Sequence, residues 1–302
     1  MENFRIMAGI QAAQLICLAV GFFLRRRKMI SDALREGLSM LMLNLFLPCM
    51  TLHSFQQDLG KEEYIPAFLI AAISAGLCLL CMGLGKLLYG RKPPEHGKIL
   101  RYGVMIPNAG FAGLSVMEDA YGSLGVFYAS MFVIPIRVFL WSAGVALFTD
   151  GKQQGRLRKI LFNPCIVAVY IGLARMLLHI PFPGFVDSAI GAMGDCCTSV
   201  AMLFIGAVLA DAPWKGLFRR EIFAFAFVRL LLIPGATFLA LRWFPFDREV
   251  TATAVILMGM PMATTATVLA EQYGADARFA SQCMFVTTLL SMLTIPLWAA
   301  FL

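Results

Sequence analysis

Ten stretches of this chain are apolar and close to the ~20 residues that an α-helix needs to cross a ~30 Å hydrocarbon core. They run approximately from Met7 to Leu24, Leu38 to Phe55, Ile65 to Leu88, Ile99 to Met117, Leu124 to Phe148, Pro164 to Ile180, Ala189 to Ala210, Ile222 to Trp243, Thr251 to Ala270 and Phe279 to Leu302. Short polar clusters separate them. The residues are 60% hydrophobic and only 14% charged, against about 45–50% and about 25% in soluble domains. The chain therefore reads as an all-α integral membrane protein with ten transmembrane helices. Its first run is expected to stay as a span, because the positive cluster Arg25, Arg26, Arg27 and Lys28 follows the apolar stretch, whereas a cleaved signal carries its charge in front.

The formal charge of +7 matters less than its location, since Lys and Arg concentrate on the cytoplasmic side. With ten spans and the N-terminus outside, the inner loops hold eighteen basic residues, among them Lys86, Arg91, Lys92, Lys152, Arg156, Arg219 and Arg278. The outer segments hold four, Arg5, Lys61, Arg242 and Arg248. Both termini are thus expected outside, in a multi-pass protein of the cell membrane. These clusters are accounted for as topology signals, so no nucleic-acid partner is expected.

Two of the runs are interrupted by proline at corresponding places: MIPNAGFAGLSV, Met105 to Val116, and MGMPMATTATVL, Met258 to Leu269. Pro107 and Pro261 each remove a donor and obstruct the preceding turn, and Gly110 and Gly113 permit close approach. In lipid the freed backbone groups persist only where protein, water or a ligand satisfies them. Paired breaks of this kind mark the binding site of many secondary transporters. At 1.5 Å per residue, Asn108 lies ~14 Å from the inner end of the fourth span and Pro261 ~15 Å from the outer end of the ninth, so both reach the midplane. The fourth span is expected to restart after Asn108 and the ninth after Ala263.

Five spans per half turn the second half upside down. Residues 1–148 form the first repeat, the basic stretch 149–160 a cytoplasmic linker, and residues 161–302 the inverted repeat. Weak internal similarity supports the division. Pro107 is followed by EDAYG from Glu118 and Pro261 by AEQYG from Ala270, and the next span of each half holds Met-Phe-Val, at Met131 and Met284.

GFFLRRRKMISDAL leading to LNLFLPCM, PNAGFAGL in the fourth span, NPCIVAVYIGL in the sixth and PMATTATVLAEQYGAD in the ninth together resemble the auxin efflux carrier family, essentially end to end. That family includes plant auxin exporters and bacterial permeases for malate and malonate. The resemblance implies a fold like that of bile acid sodium symporters and sodium/proton antiporters. It also implies a scaffold domain and a core domain, each drawn from both repeats, two broken helices crossing in the core, and a homodimer. Bacterial relatives often carry Asn shortly after the ninth-span proline, where this chain has Thr264 and Thr265.

A restarted helix presents free N–H groups and about half a unit of positive charge, so two such ends suit a carboxylate. The candidate substrate-binding residues are Pro107, Asn108, Ala109, Gly110, Pro261, Ala263, Thr264 and Thr265, with Asn108 both donating through its amide and capping the new helix. The bland alternative for either span alone is a kinked helix. Ionisable groups inside a membrane are functional by default, which singles out Arg137, Arg229, Arg175 and Asp195. Arg137 and Arg229 are candidate charge partners of an anion. For Arg229, pairing with Asp195 or with carbonyls freed by a break is the equal alternative, and Arg175 reads as an outward-reaching end residue. Asp195 and His53 are candidate coupling residues. Glu118 and Asp119 read as solvated helix-end carboxylates rather than an ion site. Gln11, Gln14, Asn44, Thr287 and Thr288 either line the cavity or bond between helices.

The eight cysteines and three histidines form no metal pattern; Cys78 and Cys81 make a CxxC inside an apolar run, where packing is the simpler reading. No Walker motif, HExxH or GxSxG elbow is present, which argues against ATP drive and an enzyme. A secondary transporter of small organic anions, without cofactor and with proton or sodium coupling open, is the expected function. The alternatives are a sodium- or proton-coupled symporter of another organic anion, and a channel or sensor on the same fold.

Overall fold

The computed structural model describes residues 2–55, 64–149, 162, 164–178, 182–212 and 216–302. The linker expected at 149–160, and with it Lys152, Arg156, Arg158 and Lys159, lies outside the described residues apart from Thr149. Described residues are helical throughout, with no β-strand among them beyond one isolated bridge.

In chain order the helices are α1 (Glu2–Arg26), α2 (Asp32–Leu41), α3 (Leu47–Ser54), α4 (Tyr64–Tyr89), α5 (Pro94–Met105), α6 (Leu114–Phe139), α7 (Val145–Thr149), α8 (Pro164–Leu178), α9 (Gly184–Ala210), α10 (Arg220–Phe227), α11 (Ile233–Arg242), α12 (Arg248–Met258), α13 (Thr265–Gln272) and α14 (Ala277–Phe301). Local chemistry sets several starts. The Ser31 hydroxyl accepts the Leu34 N–H at 3.2 Å to open α2, and Asp276 accepts the Phe279 N–H at 2.9 Å to open α14, the usual side-chain caps.

Six helical stretches among the described residues are long and apolar enough to cross a membrane: 8–26, 65–89, 109–149, 184–210, 220–242 and 277–301. Much of the difference from ten runs has a physical origin. Breaks at 106–108 and 259–264 leave α5, α12 and α13 each shorter than a membrane crossing. The stretch 109–149 is itself interrupted at Gly122, whose φ of +61° is open to glycine and turns the chain between the expected fourth and fifth runs. Pro164–Arg175 is apolar but short.

Single π-turns widen the helices at Met42–Phe46, Ala109–Gly113, Leu140–Gly144 and Val228–Leu232. Two sit directly before Pro48 and Pro234, whose rings displace the carbonyl four residues back. For Pro234 that carbonyl is Leu230, and the Trp298 indole N–H donates to it at 2.9 Å. Ser74 donates at 2.6 Å to the Phe132 carbonyl, one turn before Pro135. Side chains from neighbouring helices thus satisfy backbone groups that lipid could not.

The helices pack in two groups. In one, α1 lies on α9, α9 on α3 and α3 on α8; in the other, α4 contacts α5, α6 and α12, α11 contacts α12, and α13 contacts α14. The groups meet where α9 crosses residues 109–113 and where α1 lies against α6 and α14. Glycine brings α1 and α9 together: a Cβ on Gly21 would overlap the Leu203 carbonyl, and one on Gly206 the Leu18 carbonyl. Close backbone approach over small residues is a main source of cohesion between membrane helices. Gly206→Val is therefore expected to cost about 3 kcal/mol, the upper range for overpacking, read as a lowered unfolding temperature of the purified protein.

Candidate functional site

The two breaks lie against each other. After α5 ends, Ile106 is extended (φ −112°, ψ 101°), and residues 106–108 run antiparallel to 261–263. The Asn108 N–H donates to the Pro261 carbonyl at 2.8 Å and the Ala263 N–H to the Ile106 carbonyl at 3.3 Å, with Pro107 bridged to Met262. Each break thus supplies the backbone partners that the other lost. The Met262 N–H finds the Thr287 hydroxyl at 3.3 Å, which in turn donates to the Cys283 carbonyl at 2.7 Å. Helix resumes at Ala109 after the first break, as expected, and at Thr265 after the second, one residue later than expected.

Arg229 sits at the C-terminal ends of the two helices that lead into the breaks, fully buried. Its Nε donates to the Met260 carbonyl at 3.0 Å, Nη1 to Val104 at 2.9 Å and Nη2 to Met258 at 2.9 Å. These are carbonyls that interrupted helices leave without an i+4 donor. For Val104 that donor would have been the Asn108 N–H, which is spent on Pro261. A positive charge also suits two helix C-termini, where the macrodipole is negative. Of the two readings of Arg229, the geometry matches carbonyl capping, and Asp195 is not its partner.

The N-terminal ends are left differently. Asn108 precedes the resumed helix with its side chain making no capping bond. Its carbonyl accepts the Gly113 N–H at 3.0 Å, and its buried amide nitrogen has no partner among the described residues. Ala109, Pro261, Ala263 and Thr264 are buried beside it. Thr265 is engaged by the fully buried Tyr102, hydroxyl to hydroxyl at 2.6 Å. Tyr102 was not singled out from the sequence; the signal was a tyrosine inside an apolar run, one turn before a break.

Arg137 comes from α6 to the first break. Its Nη2 would stand 3.3 Å from a Cβ at Gly110, so the absence of a side chain there admits the guanidinium to the resumed helix. The residue is only 9% exposed, and its Nε has no partner among the described residues. It lines a cavity with Ser130, Thr51, Leu114 and Cys165, between α6 on one side and α3 and α8 on the other. The Ser130 hydroxyl, 3% exposed, is likewise unpartnered. On the opposite face of the resumed helix a second, more apolar cavity is lined by Gln11, Gln14, Ala112, Pro261 and Thr288.

His53 and Asp195 are brought together, but around the Gly122 turn of α6 rather than at the breaks. They share a cleft with Glu118, Ser123 and Gly194. Glu118 and Asp119 are engaged between helices: Thr198 donates to Glu118 at 2.6 Å, and Gln14 to Asp119 at 2.7 Å. Arg175 forks onto Asp187 at 3.0 and 2.8 Å. Among the described residues no group of histidines, cysteines and carboxylates could hold a metal ion.

A bundle of apolar helices interrupted by two mutually paired breaks defines a membrane transport protein. The membrane transport protein family matches residues 10–299, and this chain belongs to that family, the one that its resemblance to auxin efflux carriers implies. It is similar to an uncharacterized transporter of Methanothermobacter thermautotrophicus, 24% identical over 95% of this chain and 96% of the relative. It is also similar to the uncharacterized transporter YfdV of Escherichia coli K12, 22% identical over 94% of each. A protein of Rhizobium meliloti named "Putative malonate transporter" is 28% identical over 62% of this chain and 64% of its own length. Family and relatives are transporters, not enzymes.

Proposed function

We propose that the chain is a secondary transporter of small organic anions, carboxylates above all, working by alternating access around the paired breaks. The observation that carries this reading is Arg137, a buried guanidinium uncommitted among the described residues, whose Nη2 stands 3.3 Å from where a Cβ on Gly110 would lie, two residues after Asn108 with its unpartnered amide. A carboxylate is the group that accepts from both a guanidinium fork and an amide N–H. The malonate in the Rhizobium relative's name is of the same class.

In this reading the ten runs cross the membrane as two inverted five-helix repeats, with both termini outside a cell membrane and two chains forming a homodimer. The α1, α3, α8 and α9 group serves as scaffold, and the group holding the breaks moves against it as core. The outer cleft of His53, Asp195 and Glu118 is where a coupling proton or sodium ion would act.

Counterflow of labelled malate or malonate into proteoliposomes tests the proposal. A carrier shows saturable uptake stimulated by unlabelled substrate inside, a channel shows no such stimulation, and an enzyme alters the label. Asn108→Ala is expected to abolish counterflow while the protein inserts and melts as the parent does. Parental flux in that variant overturns the assignment of the breaks as the site.

A further inference from the structure

Counting charge in the apolar interior narrows the substrate further, on the reading that the Arg137 cavity holds the transported anion. Three arginines fall inside the expected spans away from the loop clusters: Arg137, Arg229 and, toward the outer end of its span, Arg175. Arg175 is neutralised by the Asp187 carboxylate through two hydrogen bonds. Arg229 is enclosed by three carbonyls. Among the described residues that leaves Arg137 as the one interior cation with its charge uncommitted. Thr51, Ser130 and Cys165, the polar or sulfur-bearing neighbours in its cavity, are neutral.

We infer that the site takes a singly charged carboxylate carrying a second, uncharged hydrogen-bonding group, rather than a dicarboxylate dianion. One guanidinium matches one carboxylate. A second carboxylate in the same cavity would meet no further cation among the described residues that line it, and an unpaired buried charge is strongly unfavourable. What the cavity offers the other end of the ligand is the Ser130 hydroxyl, able to donate and accept and without a partner among the described residues. Ser130 and Arg137 are seven residues apart on α6, about 10 Å along the axis. The arginine side chain leans back toward the helix N-terminus, which shortens the gap to the length of a small acid. A hydroxyl or amide a few carbons from the carboxylate spans it. Glu118 and Asp195, facing one outer cleft with His53, add repulsion that weighs more on a dianion than on a monoanion.

Four small acids of similar size separate the possibilities: malonate, its monoamide malonamate, 3-hydroxypropionate and propionate. Their affinity for the purified full chain is to be measured by titration calorimetry at a pH where malonate carries both charges. Malonamate and 3-hydroxypropionate are expected to bind at least tenfold tighter than malonate, and malonate to gain affinity as the pH falls into its singly charged range. Ser130→Ala is expected to erase the advantage of 3-hydroxypropionate over propionate, and Ser130→Thr, which keeps the hydroxyl, to retain it. Malonate binding as tightly as malonamate, or an advantage of 3-hydroxypropionate that survives Ser130→Ala, overturns the inference while leaving the anion site standing. If none of the four binds, or if binding survives Arg137→Gln, the anion site itself falls, and this inference with it.

Discussion

Arg229→Met is expected to give a protein that inserts poorly and unfolds far below the parent, because one side chain closes the C-terminal ends of two helices at once. Methionine matches the aliphatic stem, so the volume change is small; what disappears is the set of donors to Val104, Met258 and Met260. An orphaned buried acceptor costs about 1–3 kcal/mol, and three of them approach the ~5–15 kcal/mol that holds a typical protein folded. The residue is fully buried, so water is not at hand to substitute. Arg229→Lys keeps the charge but replaces a planar fork with a single ammonium, which reaches fewer of the three carbonyls. The expected order of unfolding temperature is therefore Arg above Lys above Met, measured by thermal unfolding in detergent. A methionine variant that melts within a few degrees of the parent would show that the carbonyls find other donors and that Arg229 does not hold the breaks together.

The breaks themselves were legible because proline and glycine write backbone events directly into sequence. Pro107 and Pro261 mark where α5 and α12 must stop, and Gly110 and Gly113 mark where something approaches closely. Which partners the freed groups would take was less legible, since it depends on contacts between residues far apart in the chain. Carbonyl capping by Arg229 could be weighed as an alternative but not chosen, because Val104 lies 125 residues before it. The hydroxyl bond of Tyr102 to Thr265 spans 163 residues and left no trace that a single sequence reveals. Asn108 shows a subtler limit. Its type and position suit a side-chain cap, yet its own carbonyl meets the Gly113 N–H across a π-turn, and the amide is left over. Glu118 and Asp119 read as solvated ends, because nothing in the sequence places Thr198 and Gln14 beside them.

Arg137→Gln is expected to do the reverse of Arg229→Met: lose transport and keep the fold. The residue is 9% exposed and its Nε has no partner among the described residues, so in the empty protein the guanidinium carries a desolvation cost with little to offset it. Replacing it with a neutral amide removes that cost, and the unfolding temperature should hold or rise. A bound carboxylate, by contrast, loses its charge partner. Hydrogen bonds to a charged group contribute about 1.5–3 kcal/mol each. Losing two therefore weakens binding by at least about 100-fold, at 1.4 kcal/mol per factor of ten. Arg137→Lys should lie between, holding the charge without the fork. Counterflow and melting measured on the same preparations decide the matter. If Arg137→Gln melts low, the residue is structural like Arg229. If it melts as the parent does and still exchanges malate or malonamate, the anion is held elsewhere, and the Gln11 and Thr288 cavity on the far face of the resumed helix becomes the place to look. Stability and flux moving apart in the two arginine variants is what separates a cation that closes the breaks from one that waits for a ligand.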